Sequence, residues 1–308
     1  MKKIIISMFA LVALMAGCEK AEESVNPETP RGQQEIKLTA GITRMEVTSK
    51  AAITEDVFPN GTNVGLYALQ EGTDASIWTT GIPKYTNDGT VTITDNKITI
   101  TDKKLYYPTN DKPMYFIAYQ PIGNAGAFST GTAPSVTFDL SGNDQPDIMY
   151  ATGVSDILST QTSSSVVSLN FAHKLAKVAF KVKAGEGFEA SGISISTLEL
   201  KNINTGVTLS VENGNLTFDT PKTISYTPNQ EITATASPVF GTTLLEPEAT
   251  YTLTATAGGL EYTLSGLQTP KAGQAKNIVL TFTGTEIEAM ASITKWEDLA
   301  EEDKNISK

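Results

Sequence analysis

Val207-Thr208-Leu209-Ser210-Val211-Glu212-Asn213-Gly214-Asn215-Leu216-Thr217-Phe218 alternates apolar and polar residues on both sides of an Asn-Gly pair. A period of two is the mark of a strand with one buried face, and Asn-Gly accepts the positive φ angles of a tight type I′ turn. The stretch therefore predicts a β-hairpin. The same reading extends outward. Tyr251, Leu253 and Ala255 lead into Gly258-Gly259, followed by Leu260, Tyr262 and Leu264. Val91 and Ile93 face Ile98 and Ile100 across Asp95-Asn96. From residue 36 onward threonine, valine and isoleucine are abundant and turn residues recur at short intervals, as antiparallel sheet requires. No long stretch carries a 3.6-residue period, and the charged tail from Glu297 to Asn305 offers a short helix at most. The fold class is all-β.

The polar run Ser159 to Ser165 is the natural break in the middle of the chain. It predicts an N-terminal domain over 45–165 and a C-terminal domain over 166–308, the latter opening on the strands Val166 to Phe171 and Leu175 to Val182. Ahead of both, Ile36, Leu38, Ala40 and Ile42 alternate with polar neighbours as a first strand. Near the other end Ile287, Ala289, Ala291 and Ile293 alternate in the same way within 286–296.

The chain begins Met1-Lys2-Lys3, runs through 12 apolar or small residues from Ile4 to Met15, and reaches Ala16-Gly17-Cys18. An apolar run this short is a secretory signal core, since spanning a bilayer takes about 20 residues. Cys18 is the only cysteine, so it has no disulfide partner within the chain. Small residues directly before it resemble the bacterial lipobox, with Met15 where leucine is usual. The resemblance implies a lipoprotein signal peptide over 1–17 and acylation of Cys18 with palmitate. Residues 19–35 are polar, acidic and proline-bearing, which suits a disordered tether. Glu19, Glu22 and Glu23 in it resemble the signal that sends Bacteroidetes lipoproteins to the outer face of the outer membrane.

Charge and residue inventory exclude several functions. With 34 acidic residues against 23 basic ones, nucleic acid is not a partner, because phosphate binding needs clustered Lys and Arg. The single histidine, His173, lies between apolar strand segments without local partners for a triad or a zinc site. It reads as a half-buried residue satisfied by a backbone carbonyl. Asp139, Asn143, Asp144 and Asp147 crowd a glycine-bearing loop but miss the spacing of a calcium-binding loop. No glycine-rich phosphate loop and no nucleophile with a base stands out. The chain is expected to be no enzyme and to carry no metal or cofactor.

Five segments, in order, resemble the fimbrillin family, the type V pilus subunits of Bacteroidetes, in its Mfa-like branch. They are residues 57–68 (Val57-Phe58-Pro59-Asn60-Gly61-Thr62-Asn63-Val64-Gly65-Leu66-Tyr67-Ala68), Tyr106-Tyr107-Pro108 with Phe116-Ile117-Ala118-Tyr119-Gln120-Pro121, Gln145-Pro146-Asp147-Ile148-Met149-Tyr150-Ala151, Phe171-Ala172-His173-Lys174-Leu175-Ala176-Lys177-Val178, and Ile293-Thr294-Lys295-Trp296. The resemblance implies two tandem transthyretin-like Greek-key β-sandwich domains. It also implies an exported lipoprotein precursor, trimmed by an Arg- or Lys-specific protease and assembled with other fimbrial subunits into an adhesive fibre on the cell surface.

Residue chemistry supplies a rationale for that route. Arg44 follows the first strand at once, so a cut there would release the tether and strand together (18–44) and bare an apolar groove. Losing Ile36, Leu38 and Ile42 would expose surface worth on the order of 5 to 9 kcal/mol, which a neighbour's strand would recover. Lys50 is a second candidate for the cut. Arg31 is a third, and cutting there would keep the strand. The resemblance implies that shaft subunits donate a C-terminal strand; the segment Ile287 to Ile293 suits that role and equally a last strand that stays at home, so shaft and tip roles are both open. The other reading is a surface glycan-binding lipoprotein, which needs exposed aromatics on one face. Of the two tryptophans, Trp78 is available for that and Trp296 is expected to pack at a sheet end.

Overall fold

A computed structural model of the chain describes residues 34–43, 57–72, 77–87, 89–101, 103–123, 129, 131–142, 144–160, 165–188, 193–219, 221–226, 230–232, 239–283 and 287–295. The first half supplies β1 (Lys37–Ile42), β2 (Thr62–Asn63), β3 (Gly65–Gln70), a single helical turn α1 (Ile77–Thr80), β4 (Ile82–Thr86), β5 (Val91–Thr94), β6 (Lys97–Ile100), β7 (Met114–Gln120), β8 (Ser135–Asp139) and β9 (Met149–Val154). Then come β10 (Val166–His173), β11 (Ala176–Ala184), β12 (Ile193–Asn204), β13 (Gly206–Ser210), β14 (Leu216–Phe218), β15 (Pro221–Tyr226) and β16 (Gln230–Ile232). The last are β17 (Val239–Leu245), β18 (Thr250–Ala257), β19 (Leu260–Gln268), β20 (Gln274–Phe282) and β21 (Ile287–Lys295). The protein is all-β.

Nine strands run in the order β2-β5-β6-β1-β10-β9-β7-β3-β4. The order turns a corner at β10, which pairs with β1 along Val166 to Phe171 and with β9 only at Ala172 and His173. Residues from both flanks, among them Leu38, Ile93 and Ile98 on one side and Leu66, Phe116 and Ala151 on the other, close over one core. A sheet apolar on one face must bury it, and folding back on itself does so. The opposite face of β3, β7 and β9 is apolar too. Tyr67, Leu69, Ile117, Tyr119 and Tyr150 there share a second core with Val136, Val207 and Leu209 from the three-stranded sheet β14-β13-β8. A third core lies between β17-β11-β20-β21 and β15-β12-β18-β19, filled by Phe180, Val182, Ile278 and Phe282 against Leu198, Leu200 and Leu253.

The hairpin at Asp95-Asn96 has the expected register, Ile93 opposite Ile98, with positive φ at both turn residues. So does Gly258-Gly259, with Ala257 opposite Leu260. The Asn213-Gly214 hairpin differs. A two-residue turn would set Leu209 opposite Phe218, but Leu209 pairs with Leu216 and Val207 with Phe218. The residues between form a wider loop because Val211 turns inward and is fully buried. Tyr150 fixes that loop: its hydroxyl donates to the Val211 carbonyl at 3.1 Å. Gly214 has φ +70, and a Cβ on it would come within 2.4 Å of the Tyr150 ring. The shift is two residues, so every side chain keeps its face.

The expected domain boundary at residue 165 falls just ahead of β10. Residues 31–308 form one compact unit. β10 belongs to the nine-stranded sheet and β11 to a different one, so the change of sheet falls at Lys174-Leu175. The reason is burial: Val167, Leu169 and Phe171 complete the first core beside β1. β8 crosses the other way, pairing with β13 along its whole length.

Candidate functional site: the slot held by the first strand

β1 lies inside the nine-stranded sheet, with a neighbour on each side. On one flank it runs parallel to β10, from Lys37 opposite Val166 to Ile42 opposite Phe171. On the other it is antiparallel to β6 at Leu38–Ile98 and Thr39–Lys97. Single bonds extend this second seam: Ala40 N donates to Asn96 O at 2.9 Å, Ile36 N to Leu105 O at 2.8 Å, and Tyr107 N to Gln34 O at 3.1 Å. Lys104 Nζ meets Glu35 Oε2 at 2.8 Å, which raises the lysine's pKa. Thr43 N donates to Phe171 O at 2.6 Å, the last bond before Arg44.

The alternation read from sequence holds for three of the four inward residues. Ile36, Leu38 and Ala40 are 5%, 6% and 6% exposed. Ile42 is only partly buried, packing against the rim of the core. Removing β1 would therefore leave a slot bounded by two strands, β6 and β10, rather than one open edge. Cys18, Arg31, Arg44 and Lys50 lie outside the described residues.

The C-terminal segment forms β21, paired with β20 over its whole length from Ile287–Phe282 to Lys295–Gln274. It is an outer strand of its sheet. Ile287 is buried and Ala289 exposed. Trp296 lies outside the described residues.

His173 is half-buried at the end of β10, as the sequence reading has it. Its Nδ1 lies 2.9 to 3.0 Å from the two carboxylate oxygens of Asp147, so a carboxylate, not a backbone carbonyl, is the partner on that nitrogen. Asp139 accepts from Ser141 N at 2.8 Å, which lowers its pKa. Asn143 lies outside the described residues. Among the described residues no three His, Cys, Asp or Glu side chains gather as metal ligands. Trp78, taken as available for an exposed platform, is 4% exposed and packs edge-on to Tyr67 at 5.9 Å. That removes it from any sugar-stacking face.

Sequence reasoning missed the contribution of Gln145. Its amide bonds to both sides of Leu244 in β17, tying the 140–148 loop to the edge of a distant sheet. Nothing in local patterning marks a loop glutamine for that contact.

The fold has solved counterparts. A candidate cell adhesion protein from Bacteroides uniformis superposes with a TM-score of 0.60 at 18% identity, covering 87% of this chain and 100% of its own. A fimbrial protein from Bacteroides vulgatus gives 0.56 at 16% identity, over 84% of this chain and 99% of its own. A candidate cell adhesion protein from Bacteroides ovatus gives 0.56 at 17%, over 85% and 97%. At these identities the likeness is one of fold. No curated protein sequence matches the chain. The family model described as fimbrillin-like matches residues 43–296, beginning one residue beyond β1. Extending over most of the chain, that match identifies the protein as a member of the fimbrillin-like family, a family of structural fimbrial proteins rather than enzymes.

Proposed function

We propose that this chain is a structural subunit of adhesive surface fimbriae, exported as a lipoprotein held at the outer membrane through Cys18 and activated for assembly by loss of β1. The observation that carries the reading is the place of β1: it is central in its sheet, fills the core with Ile36, Leu38 and Ala40, and ends two residues before Arg44. A cut after Arg44, or after Lys50, by an Arg- or Lys-specific protease would free a strand that is then held only by non-covalent contacts. A strand from another subunit would refill the slot and pair both bare edges.

The chain carries a matching strand. Residues 36–44 read Ile-Lys-Leu-Thr-Ala-Gly-Ile-Thr-Arg and residues 287–295 read Ile-Glu-Ala-Met-Ala-Ser-Ile-Thr-Lys. The two agree at both isoleucines, the central alanine and the threonine, with Gly/Ser and Arg/Lys in step. A second copy's β21 would set Ile287, Ala289, Ala291 and Ile293 where Ile36, Leu38, Ala40 and Ile42 sit. Register is set by the apolar pattern, and here the patterns coincide. At home β21 has, among the described residues, one hydrogen-bonded neighbour, β20. In the slot it would have two, β6 and β10, which favours exchange.

The test is assembly itself. Protease-treated wild type should run as an SDS-resistant ladder, and its N-terminus should read Met45-Glu46-Val47 or Ala51-Ala52-Ile53. Arg44→Ala with Lys50→Ala should stay a full-length monomer. Normal ladders from the double variant, or an assembled form that keeps its original N-terminus, would overturn the reading.

A further inference from the structure

Gly41 lies on the face of β1 turned away from the core, opposite Asn170 of β10 in the parallel register. Glycine weakens a strand, and inside one it marks either a bulge or a close approach. Here it marks an approach. Gly41 is not among the glycines with positive φ, and the pairing of β1 with β10 runs without a shift from Lys37 to Ile42. A Cβ on Gly41 would lie 3.0 Å from Asn170 Oδ1. Among the described residues beyond its two chain neighbours, no other atom comes within 4 Å of that position. Asn170 is exposed, so it can move, but it stands where a side chain at this point of the slot would go.

From this contact we infer that Asn170 selects the strand that fills the slot, admitting glycine or serine opposite its amide and disfavouring longer or branched side chains. Any side chain there makes Asn170 give way by a few tenths of an ångström. Serine converts the contact into a hydrogen bond, its hydroxyl donating to Oδ1. Valine gains nothing for the same displacement. The extension to β21 rests on the reading proposed above. With Ile287 in the place of Ile36, the residue opposite Asn170 is Ser292. Apolar alternation excludes a one-residue slip, which turns the strand over, but allows a slip of two. A two-residue slip sets the long Met290 or the branched Thr294 against Asn170 instead. The partner so selected is a second copy of this chain, held in one register.

The first measurement needs no assembly: thermal melting of the uncut full-length chain in a double-mutant cycle. Gly41→Val should lower the melting temperature by about 2 °C beside Asn170 and raise it by about 1 °C beside Asn170→Ala, where only the strand preference of valine remains. Gly41→Ser should not lower it. A shift of the same sign in both backgrounds would overturn the selection. The second measurement follows protease-treated chain. Strand preference alone would let Ser292→Val assemble at least as fast as wild type. Selection by Asn170 should instead slow its ladders roughly fivefold, and adding Asn170→Ala should restore them. Undiminished ladders from Ser292→Val, or no restoration, would show that Asn170 does not select β21. Wild type that forms no ladder would overturn the proposed function instead, and the melting cycle would still decide the selection within β1.

Discussion

The side-chain amide of Gln145 pairs with Leu244 as a strand's peptide group would: its Oε1 accepts from Leu244 N at 2.6 Å and its Nε2 donates to Leu244 O at 3.2 Å. Nε2 also donates to Leu140 O at 2.6 Å, and Thr243 Oγ1 donates to Oε1 at 3.1 Å. Leu244 lies in β17, an outer strand, so the amide covers part of an edge that would otherwise invite pairing. Gln145→Leu leaves several backbone groups without that partner, and each such loss costs about 1 to 3 kcal/mol. Urea unfolding should show a loss of about 3 kcal/mol, with increased self-association. A change under about 1 kcal/mol would mean water replaces the amide at no cost.

Gly214 and Gly259 both have positive φ, but only Gly214 abuts a ring. Gly259→Ala meets open space and should cost about 1 kcal/mol of backbone strain. Gly214→Ala must also displace Tyr150 and should cost roughly 3 kcal/mol. Equal melting temperatures for the two variants would refute the close-approach argument.

Burial pushes the Tyr150 phenol up to about 12, with the Glu212 carboxylate adding to the rise. The folded state therefore keeps this proton at pH values where an unfolded tyrosine, near 10, has lost it. Its contribution is full below about pH 10 and is lost as pH rises through about 12, on the order of 3 kcal/mol. Tyr150→Phe gives up the bond to Val211 but should show a shallower decline in stability over that window. Parallel pH profiles for the two proteins would show that Tyr150 does not titrate on unfolding.

Ala289 is exposed where it stands, yet exchange would set it in the place of Leu38. Ala289→Leu should leave monomer stability within about 0.5 kcal/mol. In the fibre it should fill the larger hole and raise the temperature at which SDS ladders dissociate. If ladders weaken or do not change, β21 does not enter the slot in this register.

Radiolabelled palmitate should mark the precursor through Cys18. Cys18→Ser should remove the label and leave the precursor unprocessed at the signal; equal labelling of both forms would exclude lipidation there.

Periodicity and turn chemistry are local properties, and the local features were legible. The all-β class, the inward set Ile36, Leu38 and Ala40, and the turns at Asp95-Asn96 and Gly258-Gly259 follow from side chains within a few residues of one another. Contacts between distant segments were not legible, because an alternating strand is apolar on one face whichever neighbour it finds. Val166 to His173 therefore read as the start of a second domain. Only the tertiary structure makes that segment the neighbour of β1, since Val167, Leu169 and Phe171 complete a core begun by residues more than a hundred positions earlier. Val211 likewise read as one more strand residue until the Tyr150 hydroxyl, from β9, held its carbonyl and widened the turn. Sequence alone determined that β1 has a face to bury. Its place between two strands, and so the two-sided slot its loss would open, was decided by long-range packing.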